Sequence, residues 1–438
     1  MTGTERFVLT ELKERRNLTS KIANASSCSE ADVLLALRDL NERIRAVFPE
    51  RNSSITAGAN GAWKADGIAG LVRLNQSVEL EIVPKFLDAG ITTWRRDFFI
   101  LAVLVKTGHL LHQEEIAATA ADHDDLATLV AWSLLALCDE NSRRPLRSYI
   151  PTKSYDFAVE GDVDPESILM PNSDGYQITR LTLTNRNAYN ATISAAAQLL
   201  EREVADADTQ NRLHHLVRTL RVQDLPPRTH RPLPQRHQGW ADAYNLSRLV
   251  IDGLGLNFDD GSFTGPGFVI STWEAWESFC EEIIRRALPS HRVYGQRTWH
   301  FGERWDSPVL TRPDLSVLKE GTAQFLLDAK YKTRAGRQPS IVSTDLYESF
   351  AFLHAADVTH MTLLYPSTES TTTLPLGSWS QFDGVELLGG KVVRGTTVQI
   401  QGLSQRGGIE QIVRAARDEL TLNFAGAEED GLDVGGGS

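Results

Sequence analysis

Cysteine is scarce in this chain of 438 residues: the three present, Cys28, Cys138 and Cys280, lie more than a hundred residues apart. They form no C-x-x-C pair, which excludes a disulfide framework and a zinc-knuckle spacing. No stretch approaches the ~18 uninterrupted apolar residues of a membrane helix, and MTGTERFVLTELKERR at the start carries charge where a signal peptide has its apolar core. The expectation is a cytoplasmic protein without a membrane partner. Positive charge is also short, with 45 Lys and Arg against 57 Asp and Glu, a formal charge of −12. That argues against coating nucleic acid by bulk attraction and leaves room for a local basic channel. No G-x-x-x-x-G-K-[ST] is present, so the chain is not expected to be an NTPase motor. No G-x-S-x-G or H-E-x-x-H occurs, and His109/His112 and His214/His215 lack a third ligand. What remains, 41% hydrophobic and 23% charged residues, is the mix of an ordinary globular protein of two or three domains.

The charge is unevenly placed. Residues 113–140 hold seven acids and no Lys or Arg, and the acidic, Gly-rich tail 427–438 reads as disordered. Residues 218–240 carry five arginines among Pro226, Pro227, Pro232 and Pro234, a composition that breaks helices and predicts a linker. Residues 1–217 are then expected to form a mixed α+β region, and 241–426 a second domain. Helical spacing marks 31–48, with Ser29 as its N-cap, and 96–111, 126–137, 187–204 and 241–254. Ile68 to Leu74 and Val78 to Val83 have strand character. Beyond the linker the pattern predicts helix 271–288, strands near 292–300, 310–318 and 323–331, helix 344–356 and strand 359–365. This is an α/β core of order αβββαβ, followed by strands at 385–388 and 398–403 and a helix at 409–420.

Arg312-Pro313-Asp314 falls within the second of those strands, and Asp328-Ala329-Lys330 ends the third, with Lys319-Glu320-Gly321-Thr322 as the turn between. Side chains alternate along a strand, so Asp328 and Lys330 share a face, and the hairpin can bring Asp314 onto it. Hard carboxylate oxygens suit Mg²⁺. Phosphodiester hydrolysis needs such an ion to offset charge and acidify water, and a lysine to orient or deprotonate that water. The same residues also make a plain salt-bridge cluster. On the 271–288 helix, which Ser271 and Glu274 would cap as a capping box, Glu277 falls on the apolar face with Trp273, Trp276, Cys280, Ile283, Ile284 and Leu288. A carboxylate there calls for an ion, the lysine or a hydrogen-bond donor. After Lys330 the charges stay positive through Lys332, Arg334 and Arg337, a strip suited to phosphates.

These residues together resemble the PD-(D/E)xK nuclease superfamily. The wider wording, WEAWESFCEEII from Trp273, LTRPDLSVLKEGTAQFLLDAKYK from Leu310, DLYESFAF from Asp345 and LEIVPKF from Leu80, is similar to McrC, the nuclease subunit of McrBC modification-dependent restriction systems. The likeness is specific over about 241–366 and weaker over 66–200. It implies a restriction-endonuclease-like core with Asp314, Asp328 and the Ala329 carbonyl as Mg²⁺ ligands, Mn²⁺ substituting, and Glu277 as an auxiliary ligand. It further implies Lys330 acting on water, and Lys332, Arg334, Arg337 and Tyr347 contacting double-stranded DNA. The implied partner is an McrB-like AAA+ NTPase ring, docked through the N-terminal region and stimulated in its hydrolysis, in a type IV, modified-cytosine-directed system. The chain departs from the family's pattern at Glu348, where Gln is frequent, and at Val159-Glu160-Gly161-Asp162, where an Arg-Gly-Arg-like segment is frequent. Two other functions fit the residues: an adaptor that activates an NTPase ring with a vestigial site, and a free-standing repair nuclease.

Overall fold

The computed structural model describes residues 5–49, 54–75, 77–87, 94–107, 126–158, 160–170, 172–204, 206–220, 222, 232–251, 255–256, 267–332 and 340–429. Arg334, Arg337, the acidic 113–125 stretch, the middle of the Pro/Arg segment and the last nine residues lie outside these. The chain is a mixed α/β protein in two compact units, one of residues 1–118, 259–263 and 267–438, the other of 119–258 and 264–266.

In the first unit, Glu5–Thr10 runs parallel to Val78–Val83, which pairs antiparallel with Ile68–Asn75, and Gly267–Ser271 adds antiparallel to the outer side of that strand. The sequence pattern marks the middle two of these strands and misses Glu5–Thr10. Helix Glu30–Val47 begins as expected, with Ser29 and Asp32 capping each other's backbone reciprocally.

A second sheet of this unit has the order Arg292–Gly295, Leu315–Lys319, Thr322–Ala329, His360–Pro366, Lys391–Val398, Trp379–Leu387. Its centre is parallel: Thr322–Ala329 crosses over through helix Ser343–Ala355 to His360–Pro366, which lies parallel to Lys391–Val398. Strands buried on both faces read as apolar runs, and Leu326, Met361, Leu363 and Val393 form a core with Phe352 and Leu353 of the crossover helix. Two expected strands are split, at 292–300 and 310–318. A separate hairpin, Trp299–Arg304 with Ser307–Thr311, stands between Arg292–Gly295 and Leu315–Lys319. Residues 399–403, expected as strand, are a turn region.

Helix Thr272–Ala287 packs on Trp94–Thr107 and Gly408–Glu429. Asp97 joins the first of these to the 402–404 turn, accepting from Gly402 N at 2.7 Å and from Ser404 N and Oγ at 2.9 and 2.5 Å. Two expectations for Thr272–Ala287 need correction. Trp273 is exposed and Phe279 takes the buried position. Ser271 is the N-cap residue but its hydroxyl makes no cap bond, so no capping box with Glu274 forms, and Thr272 N, the first N–H of the helix, donates to Gly67 O.

In the second unit, helices Leu126–Glu140, Ala188–Glu203, Ala207–Leu220 and Ala241–Ile251 pack together. Ala207–Leu220, not expected, takes in Arg218 from the segment read as linker, and a 3₁₀ turn, Gln235–Trp240, takes in its far end. Ala241–Ile251 buries Ala243, Tyr244, Leu246 and Val250 and packs on Ala188–Glu203. An apolar face of that size needs a cover, which is why this helix sits with residues from the other side of the segment. The unit also carries an arm, Ser148–Asp156 paired antiparallel with Tyr176–Thr184, and Asp162–Val163 on its other edge. No described helix is long and apolar enough to cross a membrane.

Candidate active site

Leu315–Lys319 and Thr322–Ala329 form a hairpin with Leu315 opposite Leu327. Its turn residues Glu320 and Gly321 both have positive φ, 54° and 90°, as a tight type I′ connection demands. Extending this register by one residue sets Asp314 opposite Asp328. Asp314 lies just before its strand rather than in the middle of one, because Pro313 has no N–H for the ladder. The two aspartates nonetheless meet: Ala329 N donates to Asp314 Oδ2 at 2.8 Å, and Asp314 N approaches Asp328 Oδ1 at 3.4 Å.

Lys330 follows the strand end, its backbone N–H held by Leu364 O at 2.8 Å. Its ammonium pairs with the buried Asp328 carboxylate and, at 2.7 Å, with Glu348 of the crossover helix. Burial alone would lower the Lys330 pKa, but Asp328 and Glu348 outweigh it and hold the pKa above its ordinary value. Glu277 is half-buried and accepts from Gln296 Nε2 at 2.6 Å. Gln296, in the left-handed region at φ 49°, also donates its backbone N–H to Asp314 O at 2.7 Å. It therefore ties Glu277 to the aspartate loop.

Electrostatically the carboxylates are crowded. Burial, then the charges of Asp328 and Glu277, push the Asp314 carboxyl up to about 8, against the Ala329 hydrogen bond and Lys330. Burial also raises Glu277, with Asp328 adding to it against the Gln296 bond. Cys280 sits beneath this cluster, its thiol raised well above the usual range by burial and by the same carboxylates, so it is no nucleophile. The buried oxygen Asp328 Oδ2 is the one that faces Lys330 Nζ, so the ammonium is its partner. Among the described residues no three His, Cys, Asp or Glu side chains are gathered closely enough to hold an ion by themselves. Excess negative charge and hard carboxylate oxygens at the end of a strand fit a small divalent cation that takes one or two carboxylates and completes its shell elsewhere.

Of the residues expected to meet DNA, Lys332 lies against the crossover helix, its Nζ 2.5 Å from buried Asp345 Oδ1, and Tyr347 is exposed. Arg334 and Arg337 lie outside the described residues. Gln296, Asp345 and the pairing of Glu348 with Lys330 were not foreseen, and only Glu348 had a signal in the sequence, as a departure from the family's usual Gln.

Fold and site define a mixed α/β protein with a buried acid–lysine cluster at the end of a central hairpin. The family model of the McrBC 5-methylcytosine restriction system component matches residues 63–366, and the chain belongs to this family. Its fold is that of a chain in the refined half-complex from a tetradecameric assembly of Thermococcus gammatolerans McrB AAA+ hexamers with bound McrC. The TM-score is 0.67 at 15% identity, over 95% of this chain and 100% of that one. The cryo-EM structure of the Thermococcus gammatolerans McrBC complex gives a TM-score of 0.49 at 16% identity, over 66% of this chain and 89% of that one. No curated protein matches the chain.

Proposed function

We propose that the chain is the Mg²⁺-dependent DNA endonuclease subunit of an McrBC-like restriction system, with a PD-(D/E)xK core running from helix Thr272–Ala287 to strand His360–Pro366. The observation that carries this reading is the meeting of Asp314 and Asp328 across the hairpin, with the Lys330 ammonium on Asp328. Asp314, Asp328 and the Ala329 carbonyl would hold Mg²⁺ or Mn²⁺, and Glu277 would assist. When bound, the ion supplies positive charge to the phosphate and acidifies the attacking water. Lys330 orients that water and offsets the charge gathering on the phosphate oxygens. Lys332 and Tyr347 meet the DNA backbone near the same strand end, and Arg334 and Arg337, which follow in the sequence, add to that contact.

The partner is an AAA+ NTPase ring whose hydrolysis the chain stimulates. Support comes from family membership and from the arm of the second unit, which exposes Tyr149, Leu181 and Leu183 along one face, and Leu169 and Met170 beside it. A ring that brings the chain to DNA removes the need for a basic surface throughout, consistent with the net charge of −12. The reading is tested by reconstituting cleavage of modified DNA with the AAA+ partner. Asp314→Ala and Lys330→Ala should abolish cutting and leave NTPase stimulation in place, and cutting that survives Asp314→Ala sinks it. Two observations favour the adaptor reading: Glu277 is taken up by Gln296, and no three-carboxylate cluster stands among the described residues. NTPase stimulation with no metal-dependent cleavage would select that alternative.

A further inference from the structure

Glu11, in the residue after the first strand, is 1% exposed and has a strongly polar set of partners. Its carboxylate accepts from Gly67 N at 3.0 Å, Lys85 N at 3.3 Å, Thr272 Oγ1 at 2.8 Å and the Tyr331 hydroxyl. Thr272 is the first residue of the helix that carries Glu277, and Tyr331 adjoins Lys330. One carboxylate thus touches the helix that bears Glu277 and the segment that bears Lys330, at a separation of 320 positions from Tyr331.

The tyrosine is fixed on its ring as well. Lys85 Nζ stands 3.7 Å from the ring centroid, and Phe86 meets the ring edge-on at 5.8 Å. The Lys85 ammonium is buried without a hydrogen bond, so the aromatic face and the charges of Glu11 and Asp66 are what compensate it. Phe86 also packs on Trp276, whose indole N–H donates to Leu364 O at 3.0 Å, the carbonyl that receives Lys330 N. The strand itself ends at Ala329, so beyond it the Leu364 bond and the side-chain clamp on Tyr331 set the backbone of residues 330 and 331. A carboxylate is costly to bury, and a sheet corner could be closed by apolar packing. Four converging donors at one acid instead give a fixed direction to the tyrosine hydroxyl.

We propose that Glu11 is a positioning residue for Lys330, acting through the Tyr331 hydroxyl, so that the nuclease site is completed from the end of strand Glu5–Thr10. The inference rests on the nuclease reading above. The Pro-Lys-Phe segment 84–86 is then the bed of the site's tyrosine, and removing the N-terminal strand would disarm cutting directly as well as any docking it serves.

The test uses the full chain with its AAA+ partner and modified DNA in Mg²⁺, comparing Glu11→Ala, Tyr331→Phe and the double variant. Tyr331→Phe keeps the ring under Lys85 and against Phe86 and loses only the hydroxyl. A misplacement of about 1 Å costs on the order of 10²-fold in rate. The expected result is therefore a fall in kcat of about that size for Tyr331→Phe, with KM for DNA and NTPase stimulation unchanged. The double variant should be no slower than the slower single, as for two residues acting through one contact. Wild-type kcat in Tyr331→Phe overturns the inference, as do additive losses or a parallel decline of kcat, KM and stimulation. If Glu11→Ala fails to fold, Tyr331→Phe decides alone. Asp314→Asn run alongside separates the two readings. Wild type that cuts, Asp314→Asn that does not and Tyr331→Phe that cuts normally would refute the positioning role alone, whereas wild type that never cuts removes both.

Discussion

The backbone N–H of Ala329 donates to Asp314 Oδ2 at 2.8 Å across the mouth of the hairpin. Asp314 is thereby aimed at Asp328 by the fold itself, although burial and two neighbouring carboxylates oppose its charge. An arrangement held against its own repulsion is less stable than one with a neutral group in the same place, a cost common at functional sites.

Asp314→Asn should therefore separate stability from activity. Above pH 8, where the Asp314 carboxyl is charged, the amide keeps an acceptor for Ala329 N and removes one of the crowded charges, so the thermal midpoint should rise there, by roughly 2–4 °C for each kcal/mol of repulsion relieved. Cleavage should drop by at least about 10²-fold, a typical cost of losing a group that stabilises transition-state charge. Calorimetry and a cleavage assay on one preparation check both, and an unchanged or lower midpoint would show that the carboxylates do not repel as described.

Removing the cation should do the reverse. Lys330→Met keeps the stem and deletes the ammonium, leaving Asp328, 3% exposed, without its ion pair. Breaking a buried pair from one side typically costs about 3–5 kcal/mol; Glu348 is half exposed and can turn to water, so the penalty here is that of Asp328 alone. Urea unfolding should show a clear loss for Lys330→Met, and Lys330→Met with Asp328→Leu should recover much of it.

How far the sequence carried this site depended on the range of each signal. Alternation in Phe325 to Lys330 and the turn Lys319 to Thr322 are local, so the hairpin and the sharing of a face by Asp328 and Lys330 were legible. Pro313 moved Asp314 out of its strand, a shift that the alternation pattern does not register. Helical periodicity placed Glu277 toward the core but could not distinguish exposed Trp273 from buried Phe279 at the edges of a wide apolar arc. Gln296 and Glu11 act through contacts 19 and 320 residues away, and no local pattern announces either. The arm was missed because Ser148–Asp156 is exposed along much of its length and contains Pro151, features that read as loop.

Asp97 offers a test of packing away from the site. Burial raises its carboxyl to about 6 from an ordinary 3.8, although three hydrogen bonds and Arg96 oppose the shift. Because the folded-state pKa is the higher one, its contribution is fully present below pH 3.8 and is lost as pH rises through 6. The difference corresponds to about 3 kcal/mol at about 1.36 kcal/mol per unit. Asp97→Asn should remove that slope between pH 4 and 6 in urea unfolding, while lowering stability overall because its amide nitrogen meets donors at 402–404. A wild-type slope persisting in the variant would assign it to another group.

The exposed arm should fail in the opposite way from the acid cluster. Tyr149 pairs across the arm with Leu183 and Pro151 with Leu181, so these four share one apolar face, and Leu181 is 69% exposed. Side chains that bury little can be changed at little cost, within about 0.5 kcal/mol for a surface substitution. Leu181→Ser with Leu183→Ser should thus leave the unfolding midpoint almost unmoved while reducing stimulation of the AAA+ partner tenfold or more, with cleavage falling alongside because the ring must deliver the chain to DNA. Asp314→Asn shows the converse, normal stimulation without cutting. Mixing the two variants discriminates further: if the chain worked alone, neither defect could be supplied by the other protein, and the arm variant would cut DNA at its normal rate in the absence of the ring.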